Sequence, residues 1–365
     1  MPTILHIITG LGLGGAETML TQLACRLQER GFKQRVVSLS DRGVLADVLE
    51  RSGIPVTELT LAANLGAGSR LVVLRRLIRD FEPDILQGWM YHGNLVASLA
   101  HMLAPQRAKR RLFWNVRASD VDNARYGRVL AWSRLLSGNP DVVIFNSKAG
   151  MDFHLSIGFH PRRIEIIANG IDTEKFRPDS ATRKILRREY GIEPDDLLVV
   201  HVARVDPMKD HSSFLAAMRL LPQVKAILVG AGTEQLELPP NVHASGPRLD
   251  VERLYRAADI VASSSAFGEG FSNVIAEGMS SELVPITTDV GDAKIIVGNA
   301  GMIVPPGNAQ AFADALSKAA GLAPDTRRNL GLQARERIVS QFSMTHAVEV
   351  FERLYMDRTV REGKD

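Results

Sequence analysis

Residues 3–17 read Thr-Ile-Leu-His-Ile-Ile-Thr-Gly-Leu-Gly-Leu-Gly-Gly-Ala-Glu. A β-branched, apolar run (Thr3–Thr9) enters a glycine-rich turn (Gly10–Gly15). The turn opens Ala16–Arg30, where Met19, Leu20, Leu23, Ala24 and Leu27 recur at helical spacing. The same rhythm then repeats. Further strands are expected at Arg35–Leu39, Asp84–Gln87, Arg111–Val116, Val142–Phe145 and Ile164–Ile167. After a polar stretch, Asn169–Glu193, the pattern restarts with strands expected at Leu197–Ala203, Ala226–Val229, Ile260–Ala262, Val284–Thr287 and Met302–Val304. Helices centre on Ser212–Leu221, Val251–Ala257, Ser272–Ser281 and Gln310–Ala320, and two more close the chain, Asp325–Gln341 and Thr345–Val360. Runs that are apolar throughout mean strands buried on both faces, as in a parallel sheet covered by helices. The expectation is therefore an α/β protein of two layered domains joined near residue 170, with ligands at the carboxyl ends of the strands and a cleft between the domains.

The chain has 365 residues, and at roughly 150 per domain that is about two domains. A hydrophobic fraction of 45% and a charged fraction of 23% are ordinary for a globular protein and exclude a disordered or collagen-like chain. The single cysteine, Cys25, excludes an intrachain disulfide and fits a reducing compartment. No apolar run approaches the ~18 residues of a membrane span. The opening residues carry no basic n-region, so they read as a first strand and not a signal peptide. A cytoplasmic protein is expected. Charge is uneven: up to Gly170 there are 21 Lys and Arg against 14 Asp and Glu, a balance of +7, and the remainder is acidic, within a net +3. That excess is too diffuse to indicate nucleic acid, but it suggests two domains with different partners.

Gly10, Gly12 and Gly15 satisfy the G-x-G-x-x-G spacing in a strand–turn–helix context, the form of a dinucleotide fingerprint. Asp41, the nearest acid for a ribose, lies further along than that fingerprint wants. A more specific cluster follows Leu197–Ala203: Arg204 and, five residues on, Lys209. A planar fork and a point charge past a strand end suit a diphosphate. Cations near a helix start oppose its dipole unless an anion is bound. The third cluster, after Ile260–Ala262, is Glu269-Gly270-Phe271-Ser272-Asn273-Val274-Ile275-Ala276-Glu277. Gly270 permits a tight turn, and a helix starting near Phe271 or Ser272 offers unpaired amides to phosphate. Glu269 precedes that helix, and Glu277 sits within reach of a ribose if phosphates occupy the helix start.

Taken together, these pieces resemble the GT-B retaining glycosyltransferases of family 4, the group 1 glycosyltransferases, over nearly the whole chain. The matching pieces are Gly12-Leu-Gly-Gly-Ala-Glu17, Tyr91-His92-Gly93-Asn94, Asn169-Gly-Ile-Asp172, Arg204 with Lys209, Gly230-Ala-Gly232, and the glutamate pair Glu269 and Glu277. The resemblance implies two Rossmann-like domains, an acceptor-binding domain over 1–170 and a nucleotide-sugar domain over 171–344, with a terminal helix, 345–365, crossing back to the first. It implies that Gly14 and Gly15 bring amides to the donor diphosphate or the acceptor, and that His92 lies against the donor sugar. Arg204 and Lys209 would neutralise the leaving diphosphate. Glu269 would bind sugar hydroxyls, Glu277 the ribose, Phe271, Ser272 and Asn273 the phosphate, and Gly230 and Gly232 would leave room for the base. The donor is expected to be UDP-linked, and the acceptor a saccharide or lipid-linked saccharide of a bacterial surface polysaccharide or glycoconjugate.

Two positions depart from the family: Ile295 stands where an acid is usual, and Ser281-Glu282 replaces a small residue or cysteine. Arg117 and Asp120 follow a strand end and are candidates for the acceptor. Asp120-Val-Asp122 spells a metal–nucleotide motif of another glycosyltransferase fold, but in the wrong domain for the donor; no cofactor and no essential metal are expected. Arg70, Arg75, Arg76 and Arg79 interleave with apolar residues, and Arg107, Lys109, Arg110 and Arg111 form a second basic cluster. Solvated arginines on a packed helix are the plainer reading, and peripheral contact with the inner membrane face is the functional one. Three other readings remain at this point: an NAD-dependent oxidoreductase using Gly10, Gly12 and Gly15, a nucleotide-sugar epimerase on the same fold, and a non-catalytic nucleotide-sugar-binding subunit.

Overall fold

A computed structural model describes residues 1–40, 42–59, 67–103, 110–119, 123–357 and 359, with the backbone alone for 67–71 and 123–126. The chain divides into two compact units, 1–169 with 347–365, and 170–346.

The first unit runs β1 (Thr3–Ile8), α1 (Gly15–Glu29), β2 (Lys33–Ser38), α2 (Leu45–Arg51), β3 (Val56–Glu58), α3 (Ala67–Phe81), β4 (Ile85–Trp89), α4 (Met90–Leu103), β5 (Arg111–Val116), α5 (Asn123–Leu136), β6 (Val142–Phe145), α6 (Lys148–Ser156) and β7 (Ile164–Ile166). Its seven strands are parallel in the order β3-β2-β1-β4-β5-β6-β7. The order reverses at β1, which places the start of α1 at the switch point where such sheets take ligands. Every residue of β4, β5 and β6 is buried, as expected of central parallel strands, and Gln87, Arg111 and Asn115 are buried with the apolar ones.

The second unit runs α7 (Ser180–Glu189), β8 (Leu198–Val202), α8 (His211–Arg219), β9 (Lys225–Val229), β10 (Val242–Ala244), α9 (Val251–Ala257), β11 (Ile260–Ser263), α10 (Asn273–Ser280), β12 (Val284–Thr288), α11 (Ala293–Val297), β13 (Met302–Val304), α12 (Ala309–Ala320) and α13 (Pro324–Gln341). Its six strands are again parallel, β10-β9-β8-β11-β12-β13. The last helix, α14 (Met344–Met356), follows, and its residues from Ala347 belong to the first unit. There Phe351 stacks on Trp89 (centroids 6.5 Å apart) and Tyr355 on Phe113 (6.0 Å).

Seven elements have no counterpart in the sequence reading: β3, β10, α2, α5, α6, α7 and α11. β3 and β10 are three-residue edge strands with no apolar run to mark them. α7 lies inside the polar stretch Asn169–Glu193 because it is anchored by arginines. Buried Arg187 donates to Asp259 (3.3 Å) and to the carbonyls of Ala257 (3.1 Å), Glu193 and Asp196 (both 2.6 Å). Arg183 adds Asp259 (2.6 Å) and Ala258 O (2.6 Å). The basic pair Arg110 and Arg111 also turns inward, contrary to its reading as part of a surface cluster. Arg110 donates to Pro83 O (2.9 Å), and Arg111 to Asp357 O (2.6 Å) and Tyr355 O. Arg107 and Lys109 lie outside the described residues.

Candidate functional site

The strongest cluster sits in the second unit, where β8 and β11 are neighbours and the loops after them meet. Chain leaving β8 passes Arg204 and makes a tight 3-10 turn, Pro207–Lys209. Asp206 caps that turn by accepting from Met208 N (2.9 Å). The cap and Arg204 hold the Asp206 carboxyl below its usual range. Chain leaving β11 passes Ser264 and Ser265 and reaches Glu269. The two loops are tied by Ala266 N donating to Met208 O (2.8 Å) and by the Lys209 ammonium donating to Glu269 Oε1. Ser265 Oγ donates to the same carboxylate oxygen (2.7 Å). With side chains 20% and 14% exposed, Lys209 and Glu269 are a half-desolvated pair, held where a bound anion and a hydroxyl donor would compete for them.

Arg204 is the exposed cation of the set. Its side chain is 65% exposed and rests on Asp206 at 3.0 Å, a weak surface pair that leaves the fork able to swing to an anion. The next strand end, after β9, must pass close beneath it. Gly230 (φ +146) lies where a Cβ would stand 2.1 Å from Ala203 O and 2.7 Å from Arg204 N, so only glycine fits. Gly232, nearby, is left-handed (φ +86), and a Cβ there would stand 3.2 Å from Val205 Cβ.

After Glu269, the Gly270 carbonyl is fixed by Asp292 N (3.0 Å) and Phe271 packs on Phe342 (5.4 Å between centroids). Ser272 is the N-cap, so α10 begins at Asn273, one residue past the later of the two starts read from sequence. Its side chain caps nothing and the first turn carries no acid, so the amide-bearing end from Ser272 and Asn273 favours negative charge. Glu277, one turn on, accepts from Tyr255 OH (3.2 Å). Burial pushes its carboxyl up to about 7, against the pull of Tyr255 and Lys175, with Glu252 adding to the rise. Ser281 folds its hydroxyl back on Glu277 O (3.0 Å). The Ile295 side chain is exposed, and its carbonyl accepts from Arg337 (2.6 Å).

The first unit gathers fewer side chains. A Cβ at Gly12 or Gly15 would meet nothing within 4 Å, while Gly14 is the extended N-cap of α1. The third glycine of a dinucleotide fingerprint serves close helix–strand packing, and Gly15 has no such neighbour. Asp41, its acidic partner in that reading, lies outside the described residues. Left-handed Met90 (φ 60) turns β4 into α4 and puts half-buried His92 in the first turn. The rest of Tyr91-His92-Gly93-Asn94 is architecture. A Cβ on Gly93 would stand 2.4 Å from Ile7 O. Buried Asn94 accepts from Asn115 N (3.2 Å), and Tyr91 OH meets His154 (2.7 Å). Arg117 lies over the Trp89 ring (5.3 Å) and donates to Asn169, and burial lowers it to about 9. It faces into the unit. Asp120 and Asp122 lie outside the described residues, among which no group of three or more His, Cys, Asp or Glu is placed to hold a metal.

Sequence reading missed Ser264, Ser265, Asp206 and Tyr255. Serines after a buried strand and a tyrosine within an apolar helix face carry no spacing signal for chemistry; only the pairing of β8 with β11 and the packing of α9 bring them to the site.

This architecture is the GT-B fold. HepE of Anabaena, solved with UDP, superposes with a TM-score of 0.83 at 23% identity, over 97% of this chain and 99% of that one. The family profile "Glycosyltransferase Family 4" matches residues 13–175, and "Glycosyl transferases group 1" matches 196–321. The chain belongs to the group 1, family 4 glycosyltransferases. It is 28% identical over 317 residues to EpsD of Bacillus subtilis, a glycosyltransferase by assignment, covering 79% of this chain and 81% of EpsD. It is 29% identical over 197 residues to the D-inositol 3-phosphate glycosyltransferase of Mycobacteroides abscessus, 49% of this chain and 44% of that enzyme. The oxidoreductase reading of the glycine loop falls with this membership.

Proposed function

We propose that the protein is a retaining glycosyltransferase that moves a sugar from a UDP-linked donor to a saccharide or lipid-linked saccharide acceptor, in assembly of a bacterial surface polysaccharide or glycoconjugate. The single observation that carries this reading is the Lys209–Glu269 pair beside the uncapped start of α10. It offers a cation and helix amides to a diphosphate, next to a carboxylate that can accept from sugar hydroxyls. HepE has been solved with UDP and with UDP-glucose, which supports uridine as the base.

In this reaction the bond between the sugar C1 and the diphosphate oxygen breaks and a bond from C1 to the acceptor oxygen forms on the same face. The acceptor proton passes to the departing diphosphate oxygen. Negative charge grows on the diphosphate, and Lys209, Arg204 and the amides around Phe271, Ser272 and Asn273 stabilise it. Glu269 orients the donor sugar, Glu277 the ribose, and Gly230 and Gly232 admit the base. The first unit takes the acceptor, with Gly14 and Gly15 offering amides and His92 meeting the donor sugar. No step needs a metal.

A peripheral contact with the inner face of the cytoplasmic membrane fits the acceptor class. No helix among the described residues is long and apolar enough to cross a membrane. Helices α3, α4 and α5 lie side by side and expose Val72, Val73, Leu99, Met102, Leu103, Trp132 and Leu135 beside Arg75, Arg76 and Arg79. Apolar side chains among exposed arginines suit an anionic bilayer.

The test is release of UDP from UDP-glucose, UDP-galactose and UDP-N-acetylglucosamine in the presence of a bacterial lipid extract. One donor is turned over, and Glu269→Gln lowers turnover by on the order of 100-fold or more. Inert wild-type protein with every UDP-, GDP- and ADP-sugar, or unchanged turnover in Glu269→Gln, contradicts the reading. Co-sedimentation with anionic vesicles that survives Trp132→Ser with Leu135→Ser rules out the membrane face.

A further inference from the structure

Behind Lys209 lies a polar relay that the reaction scheme above does not use. His201, on β8, is 1% exposed, and its Nε2 is 3.0 Å from Oγ of Ser264, which is wholly buried at the end of β11. The same hydroxyl lies 2.8 Å from Lys209 O and 3.0 Å from Asp210 O. A hydroxyl has one proton and the two carbonyls can only accept, so the arrangement that satisfies all three contacts has Ser264 donating to the carbonyls and accepting from His201 Nε2–H. That fixes the histidine as a neutral Nε2–H tautomer and locks the serine rotor.

The clamped peptide is a strained one. Asp210 adopts φ 44, ψ 55, a left-handed conformation that residues with a Cβ rarely take. Its carboxylate caps α8 by accepting from Ser213 N (3.1 Å), so the turn is held from one side by the helix and from the other by Ser264. The turn sends the Lys209 side chain to Glu269 instead of along the helix.

We propose that Ser264, locked by His201, is a positioning residue: it fixes the Lys209–Asp210 turn so that the ammonium is already aimed when the diphosphate arrives. This rests on the reading of Lys209 as the group that meets the diphosphate. Loss of the hydroxyl takes a donor from both carbonyls, leaving Asp210 O with Phe214 N alone (3.4 Å), and lets the turn relax, so Lys209 must be ordered again at each turnover.

A kinetic double-mutant cycle on the full chain, read as UDP release from the donor sugar, separates positioning from mere structural support. Ser264→Ala lowers kcat about 10-fold or more with donor KM changed by less than about 3-fold, and Ser264→Thr, which keeps the hydroxyl, restores most of it. In the Lys209→Ala background, Ser264→Ala costs less than about 2-fold, because what it positions is gone. Should Ser264→Ala fold poorly, His201→Leu and His201→Gln give the same comparison, since the amide of glutamine can still donate to the serine. Equal losses in both backgrounds, or Ser264→Thr as impaired as Ser264→Ala, overturn the proposal while leaving the Lys209 assignment intact. A Lys209→Ala protein with unchanged turnover overturns both.

Discussion

The two units share a parallel-sheet plan yet differ in how their functional ends are finished. In the second unit the polar groups after β8 and β11 are already paired with one another: Lys209 with Glu269, Arg204 with Asp206, Tyr255 with Glu277. In the first unit the side chains that the motifs single out point inward, as Arg117 and Asn94 do, and the switch point offers bare backbone at Gly12 and Gly15. A donor diphosphate presents the same charges in every turnover, so a preorganised set of cations and amides suits it. Backbone amides beside open space suit an acceptor whose shape the surrounding loops choose.

Arg187→Ala breaks this comparison most strongly. It leaves Asp259 with Arg183 as its remaining cation (2.6 Å) and strips a donor from the carbonyls of Ala257, Glu193 and Asp196, and should cost about 3 kcal/mol. Trp89, Trp114 and Trp132, the chain's three tryptophans, all lie in the first unit. Circular dichroism should therefore show an early transition in urea that tryptophan fluorescence does not follow. Coincident, equally shifted curves would mean that the units do not unfold as separate bodies.

Two glycine substitutions sharpen it within the first unit. Gly93→Ala drives a methyl against Ile7 O and should destabilise the protein by about 1–3 kcal/mol, seen in fluorescence. Gly15→Ala enters open space at a helix start and should leave the melting temperature unchanged or higher by virtue of helix propensity. It should still lower turnover several-fold if a ligand lies over that amide. Full activity in Gly15→Ala would reduce the loop to a turn.

These elements show how much was legible. The parallel sheets and the two-unit plan follow from apolar runs and their order, and the returning terminal helix from the family resemblance. α7 was hidden because arginines, not leucines, bury it, and β3 and β10 because edge strands need no apolar run. The Glu269–Glu277 cluster was visible as spacing along one segment. The Lys209–Glu269 contact joins residues sixty apart in sequence, and required β8 to lie beside β11. Arg110 and Arg111 looked like a surface patch because composition does not say which way a long side chain turns.

The smallest expected effect is a pH dependence. Burial raises the Glu277 carboxyl from 4.5 to about 7, with Tyr255, Lys175 and Glu252 as its charged or polar neighbours. The folded protein thus holds an extra proton between these values. Its unliganded stability should be fully present below the lower value and decline as pH rises through this window. Ribose hydroxyls donate to the ionised form, so UDP affinity should rise a few-fold between about pH 6 and 8, and Glu277→Gln should flatten the curve. Parallel slopes in both proteins would remove Glu277 from the ribose.

The most direct test of a donor site preorganised in the second unit is calorimetric titration of the protein and of Lys209→Ala and Arg204→Ala with UDP, GDP, ADP and NAD. One nucleoside diphosphate, UDP, should bind, more weakly in both variants, and NAD should not. Binding of NAD alone, or UDP affinity indifferent to both cations, would contradict the account.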